Sequence, residues 1–392
     1  MRIIPRVLGS LLLTSLCSPA IFAQMPAVPA DPHELVTRDA KLLTSPRDRN
    51  AAIDLLERAR QNNNLNTLGV PYTMKASFTS SGQSLVEGDG TMEETSLGSV
   101  RRWSAQIGEL KQFRIIENNQ VYGTSVAEPV PLRVQMARAA LLWPVPHRVG
   151  GMMIRSAKVN ENGNDLSCLL LSGEAPSSPG PRTWFETEYC IDPATALLRM
   201  WSEAPGIYVE YDYTGATDFH GHTPAREINV FENGGLTLQV HLDSLGDPGE
   251  VDPNLFKVTP EMTENLDGGS YMLSGPERFP MRVDPSNGET TSVIQPVIVH
   301  ATLDSQYGKV IEEEALQNSD PELTRSALDL VKDWTFEATG FQREVFVNVQ
   351  FHMPTTYAIA ATIRPTIRWA VLEPRRVRTG RQEPRPARES VE

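Results

Sequence analysis

Val297-Ile298-Val299-His300-Ala301-Thr302-Leu303 decides how the C-terminal part of the chain folds. Val297, Val299, Ala301 and Leu303 alternate with Ile298, His300 and Thr302. Successive side chains of a strand face opposite sides of the pleat, so the pattern predicts a strand. Asp304 to Gly308 breaks the alternation, and Asp and Gly at its ends predict a hairpin loop. Residues 309–316 resume as a second strand. Ser319 or Asp320 then fits a helix cap, with Pro321 in the first turn, where its missing N–H costs nothing. Leu323, Ala327, Leu330, Val331 and Trp334 fall on one helical face, and Arg325, Asp329, Lys332 and Asp333 lie mostly off it. Thr339-Gly340 is a break. Val347, Val349 and Phe351 alternate with Asn348, Gln350 and His352 in a last strand, ended by Pro354. The expectation is a helix laid on a small antiparallel sheet, with Trp334 buried against the valines.

This ordered set resembles the C-terminal domain of TonB-family energy transducers. The shared marks are the alternating strand, the turn at Asp304–Gly308, the Leu323–Trp334 helix ending in Trp334-Thr335-Phe336, and the closing strand. The likeness covers about 60 of the 392 residues, within 280–353. Thr335 and Ala338 stand where the family usually has a basic residue and a proline, and Phe279-Pro280 is nearest to its upstream Tyr-Pro pair. The resemblance implies a module that takes an extended segment of an envelope partner by adding a strand to its sheet edge. In the family that partner is an outer-membrane receptor. The implied edge is 345–351, which makes Val345, Val347, Asn348, Val349, Gln350 and Phe351 the partner-binding residues.

A formal charge of −13 argues against nucleic acid or an anionic membrane surface as the main partner. With 40% hydrophobic residues, the chain can bury a core. Its 30 prolines and 27 glycines fit many short strands better than a helical bundle. Arg2 and Arg6 precede an apolar run at 7–16, and the small residue Ala23 stands before Gln24. That is the pattern of a cleavable signal peptide, placed at 1–23, with a retained anchor as the alternative. Export to the periplasm or outer envelope follows. Only Cys168 and Cys190 remain after cleavage, each in a strand-like run, and in an oxidising compartment they are expected to pair.

Residues 24–70 read as an N-terminal helical segment, with helices at 33–43 and 46–61. Asn62-Asn63-Asn64 ends the second. From 71 to 263 short apolar runs recur between Gly, Asn and Ser clusters, which predicts about a dozen antiparallel strands. Leu132, Met136, Ala139, Ala140 and Trp143 interrupt them at helical spacing. The layout is similar to the half-barrels of periplasmic lipoprotein carriers, with a closed barrel or sandwich as the alternative. The run at 188–199 and the run at 211–228 carry that likeness. It implies an apolar ligand held in a concavity, with Trp103, Phe113, Trp143, Trp184 and Trp201 as candidate lining. Residues 264–291 read as a linker, 292–354 as the TonB-like domain, and 355–392 as a basic Pro/Arg-rich tail. The fold class expected is α+β.

Reactive constellations are missing from the sequence. It has no nucleophile elbow, zinc-protease helix, phosphate-binding glycine loop or paired-cysteine motif. His220-Gly221-His222 places two imidazoles close together, but Gly221 and Pro224 favour a turn over a metal site. Asp243, Asp247, Glu250 and Asp252 match no calcium loop. Glu93-Glu94 and Glu312–Glu314 lack a visible apolar setting that would separate an acid from a base. The chain is therefore expected to be a non-enzymatic envelope protein without a cofactor, docking a partner by strand addition. Carriage or sensing of a lipid or other apolar ligand is the alternative.

Overall fold

The computed structural model describes residues 40–67, 69–118, 120–123, 130–146, 149–161, 163–173, 182, 186–204, 206–264, 292–316, 321–336, 340–354 and 366–372. The expected signal peptide, the cap at Ser319 or Asp320, Trp184 and nearly all of the linker lie outside them.

The fold is α+β. Strand β1 (Lys41–Leu42) and helix α1 (Pro46–Asn63) lead into β2 (Tyr72–Ser80), β3 (Gly88–Ser96), β4 (Val100–Ile107), β5 (Leu110–Glu117) and β6 (Gln120–Gly123). Helix α2 (Leu132–Leu142) follows, then β7 (Met153–Glu161), β8 (Asn164–Ser172), β9 (Thr187–Ile191), β10 (Leu198–Ala204), β11 (Ile207–Asp212), β12 (Glu227–Glu232), β13 (Gly235–Gly246) and β14 (Thr263–Glu264). These 14 strands form one antiparallel sheet.

The sheet consists of two meanders, β2–β6 and β7–β13, joined where β13 pairs with β2 and Val240 stands opposite Phe78. That join puts β6 and β7 far apart, so the chain between them must cross the sheet. Helix α2 lies on this crossing, and nine of its 11 residues are buried, as an interior helix requires. Among the described residues, strand order runs from β1 to β14 without closing, so the sheet is open rather than a closed barrel. Each end is a two-residue strand, which limits the edge offered to other chains. The expected helix at 33–43 is corrected over Lys41–Leu42, which pair with β7. The exposed side of β7 supplies their backbone partners, and Arg155 Nη2 donates to Ala40 O at 3.0 Å.

Met74, Ala76 and Phe78 of β2, Trp103, Ala105 and Ile107 of β4, and Leu238, Val240 and Leu242 of β13 share one apolar face. Leu55, Leu56 and Ala59 of α1 and Val134, Ala137 and Leu141 of α2 fill it. Gly90, opposite Phe78, is needed there: a Cβ on it would stand 2.4 Å from Phe78 Cζ. The asparagine run does more than stop α1. Asn62 Nδ2 donates to Thr195 O (2.8 Å), Asn63 Oδ1 accepts from Tyr213 Oη (2.6 Å), and Asn64 Nδ2 donates to Val145 O (2.7 Å). These bonds fasten the helix end to three segments, the one at Thr195, the one at Tyr213 and the one that follows α2 at Val145.

The second sheet has the order β16-β15-β17-β18, from β15 (Ser292–Leu303), β16 (Val310–Ala315), β17 (Arg343–Pro354) and β18 (Thr366–Leu372), with α3 (Pro321–Lys332) on one face. Val297, Val299, Ala301, Leu303, Val345, Val347 and Val349 pack with Ala327, Val331, Trp334 and Phe336, as the periodicity predicts. The hairpin loop turns on Gly308 (φ 63°). The Asp304 carboxylate accepts from the N–H groups of Gln306, Tyr307 and Lys309 at 2.8, 2.8 and 2.6 Å.

Candidate docking edge and inter-sheet junction

The structure corrects the placement of the edge. Val345, Val347, Asn348, Val349, Gln350 and Phe351 belong to β17, which lies inside the sheet and not at its margin. One side of β17 pairs with β15, from Ser292↔Pro354 to Leu303↔Arg343. The other side pairs with β18, from Phe346↔Leu372 to His352↔Thr366. The occupant is the chain's own segment 366–372, inside the stretch read as a tail. Val345, Val347 and Val349 face α3 and are buried in the module's core. Among the described residues the margins of this sheet are β16 and β18. On β16, Ile311, Glu312 and Glu314 are exposed, and charges of this kind discourage pairing.

The second face of the module packs on the large sheet. Ile298, Leu316 and Phe346 meet Leu132 of α2 and Ile207 of β11, with Met136 alongside. Four charged or titratable side chains lie within this junction. Arg133 Nη2 donates to Glu232 Oε2 at 3.1 Å, and its Nη1 donates to Glu232 Oε1. Arg133 also donates to Thr237 Oγ1 (3.3 Å) and to Gln83 O (3.1 Å). Glu232 Oε2 lies 3.6 Å from His300 Nδ1, and Glu344 Oε1 lies 3.2 Å from His300 Nε2. Arg133, Glu232, His300 and Glu344 have side chains no more than 3% exposed. Burial works to raise the Glu232 carboxyl, but Arg133 and His300 outweigh it and hold it at about 2. Burial works to lower the His300 imidazole, but Glu232 and Glu344 outweigh it and hold it above its ordinary value.

Cys168 and Cys190 form a disulfide between directly opposed residues of β8 and β9. Leu166, Met200 and Tyr208 pack around it. His220-Gly221 is a turn, with φ of 52° and 80° and Phe219 bridged to His222. His220 Nε2 lies 2.9 Å from Asp247 Oδ1. In the acidic loop Asp252 Oδ1 accepts from Asn254 N at 2.9 Å, and Asp243 Oδ1 accepts from Ser77 Oγ at 3.0 Å. Of the aromatics proposed to line a cavity, Trp103 and Trp201 are buried in the main core, and Trp143 packs against it. Phe113 is half-buried beneath the Arg102 guanidinium, 5.1 Å from its ring centroid. The sheet's other face carries a groove of about 550 Å³ lined by Ser77, Thr79, Thr91, Gln106, Glu227 and His241 among others. His241 Nδ1 meets Glu227 Oε1, and Arg226 Nη2 lies 3.2 Å from Nε2. Both ring nitrogens are engaged, so His241 is not set up as a base for Ser77.

Sequence reasoning missed every buried ion pair. In the core, Tyr72 Oη donates to Glu94 Oε1 (2.7 Å) and Arg138 Nη2 to Glu94 Oε2 (3.0 Å). Arg138 stacks 4.1 Å from the Trp103 centroid. Arg155 reaches both Glu186 oxygens at 3.1 and 3.0 Å. The available signal was an arginine in each apolar run, Arg133 and Arg138 on α2 and Arg155 on β7.

No family model matches the chain, and no curated protein matches it. Among solved structures, a LolA superfamily protein from Nitrosomonas europaea aligns with a TM-score of 0.37 and 12% identity, over 53% of this chain and 97% of that one. MucB aligns at 0.27 and 10%, over 83% and 93%. The MucA/MucB complex of Pseudomonas aeruginosa aligns at 0.24 and 12%, over 79% and 88%. Similarity at this level assigns no function to the chain. Among the described residues, no helix is long and apolar enough to cross a membrane.

Proposed function

We propose that the chain is a non-enzymatic cell-envelope protein whose C-terminal module docks an extended partner segment by strand addition along β17. One observation carries the reading: the outer side of β17 already holds an added strand, seven residues of the chain's own C-terminal segment. Main-chain bonds supply much of the affinity in this mode of recognition, so a partner segment of similar length competes with β18. The envelope location rests on the leader pattern at 1–23 and on the Cys168–Cys190 disulfide, which needs an oxidising compartment. An outer-membrane receptor is the partner class that the TonB-type resemblance implies. Carriage of an apolar ligand is the second reading, with the apolar face of the large sheet, on which α1 and α2 pack, as its place.

The test is a photo-crosslinking residue at Asn348 or Gln350 of the full chain, expressed in its native cells. The expected product is an adduct with one envelope protein, raised in yield when the chain is ended at residue 360. The control position is Lys75, exposed on the large sheet. The same adducts from Lys75 as from β17 would count against the proposal.

A further inference from the structure

The charge balance at the junction requires a mobile proton. The cluster has one fixed cation, Arg133, and two buried carboxylates, Glu232 and Glu344. Arg133 is engaged on Glu232 through both Nη atoms. Neither Glu344 oxygen and neither ring nitrogen of His300 makes a hydrogen bond of good geometry, so the two groups meet as charges at 3.2 Å. A buried carboxylate without a counter-charge is strongly unfavourable. Neutrality therefore needs one proton, on His300 or on Glu344. The groups facing His300 decide between them. Arg133 comes from α2, Glu232 from β12 and Glu344 from β17, and exposed Glu314 stands opposite His300 on β16. Gln83, Thr237 and Thr302 are uncharged. Three carboxylates against one guanidinium favour the cation on His300.

We infer that His300 is a proton-operated clasp between the two sheets. Protonated, it joins Glu232 of the large sheet to Glu344 of the module. Neutral, it leaves Glu344 buried without a counter-charge, and the junction opens along Ile298, Leu316 and Phe346. The clasp does not rest on the docking proposal, because β15 and the second face of β17 form it whatever pairs with the edge of β17.

The sign follows from linkage. The His300 value is raised in the closed state, so its contribution is complete below the open-state value near about 6.5 and is lost as pH rises through the closed-state value. Between those limits the opening equilibrium rises about tenfold per pH unit, and it levels off above them. The test uses the full chain with carbon-13-labelled histidine, the His300 signal being assigned by its loss in His300→Gln. The expected midpoint lies above 6.5, and exchange protection at 297–303 and 345–349 falls over the same pH range while β4 stays protected. Glu344→Gln removes the need for the proton, so the midpoint drops and the pH dependence flattens. If that variant fails to fold, the wild-type titration alone decides. A wild-type midpoint at or below 6.5, or the same pH dependence in Glu344→Gln as in wild type, overturns the inference.

Discussion

Glu93 and Glu94 are adjacent in the chain, yet their environments differ sharply. Glu93 reaches Lys75 at 3.0 Å on the surface, while Glu94 is 1% exposed between Tyr72 and Arg138. Strand alternation separates them, as it must at a period of two. Glu94→Ala strands the buried Arg138, and urea unfolding is expected to show a loss of about 3–5 kcal/mol. Lys75→Ala is expected to stay within about 0.5 kcal/mol. Gly90→Ala overpacks Phe78, with an expected loss of about 1–3 kcal/mol in the same assay. The carboxylate pair was legible in the sequence, but its setting was not. The partner of Glu94 is 44 residues away on α2, and only the crossing of the sheet brings them together. Asn63 and Asn64 carry the same lesson: side chains that stop a helix also hold loops far off in the chain.

At the scale of elements, the disulfide was readable because both cysteines sit in apolar strand runs. It closes a separation of 22 residues between neighbouring strands. Replacing Cys168 and Cys190 together by Ala is expected to cost about 3 kcal/mol, read as a lower Tm by calorimetry without reductant. Strand β18 was hidden by composition. The arginines and prolines of 355–392 mask the run Thr366-Ile367-Arg368-Trp369-Ala370-Val371-Leu372, which is strand-like when read alone. For the same reason the sequence pattern places β17 at a margin, where the structure gives it a neighbour on each side. Alternation tells which face a residue takes; it does not tell how many neighbours a strand has.

Among the described residues the two sheets meet at a junction that holds one buried ionic cluster beside the apolar contacts of Ile298, Leu316 and Phe346. The run of about a dozen strands between 71 and 263, the inserted helix and the α+β class were visible in the sequence, whereas β1 and β18 were not. The meeting of β13 with β2 was not, because local pattern does not encode pairing between residues as far apart in the chain as Phe78 and Val240. On the acid side the junction has a second limit. The Glu232 value is depressed to about 2, so its contribution is present above about 4.5 and is lost as pH falls toward 2. Exchange protection of β15 is therefore expected to peak between about pH 4.5 and 6.5, and a profile rising steadily to pH 9 would contradict this. Docking by strand addition requires that β17 accept an extended strand. A peptide of residues 364–374, offered to the chain ended at residue 360, tests it directly. Saturable binding that restores amide protection at 346–352 is predicted, with proline in place of Ala370 weakening it. No binding, together with β17 amides equally protected whether or not residues 361–392 are present, would contradict it.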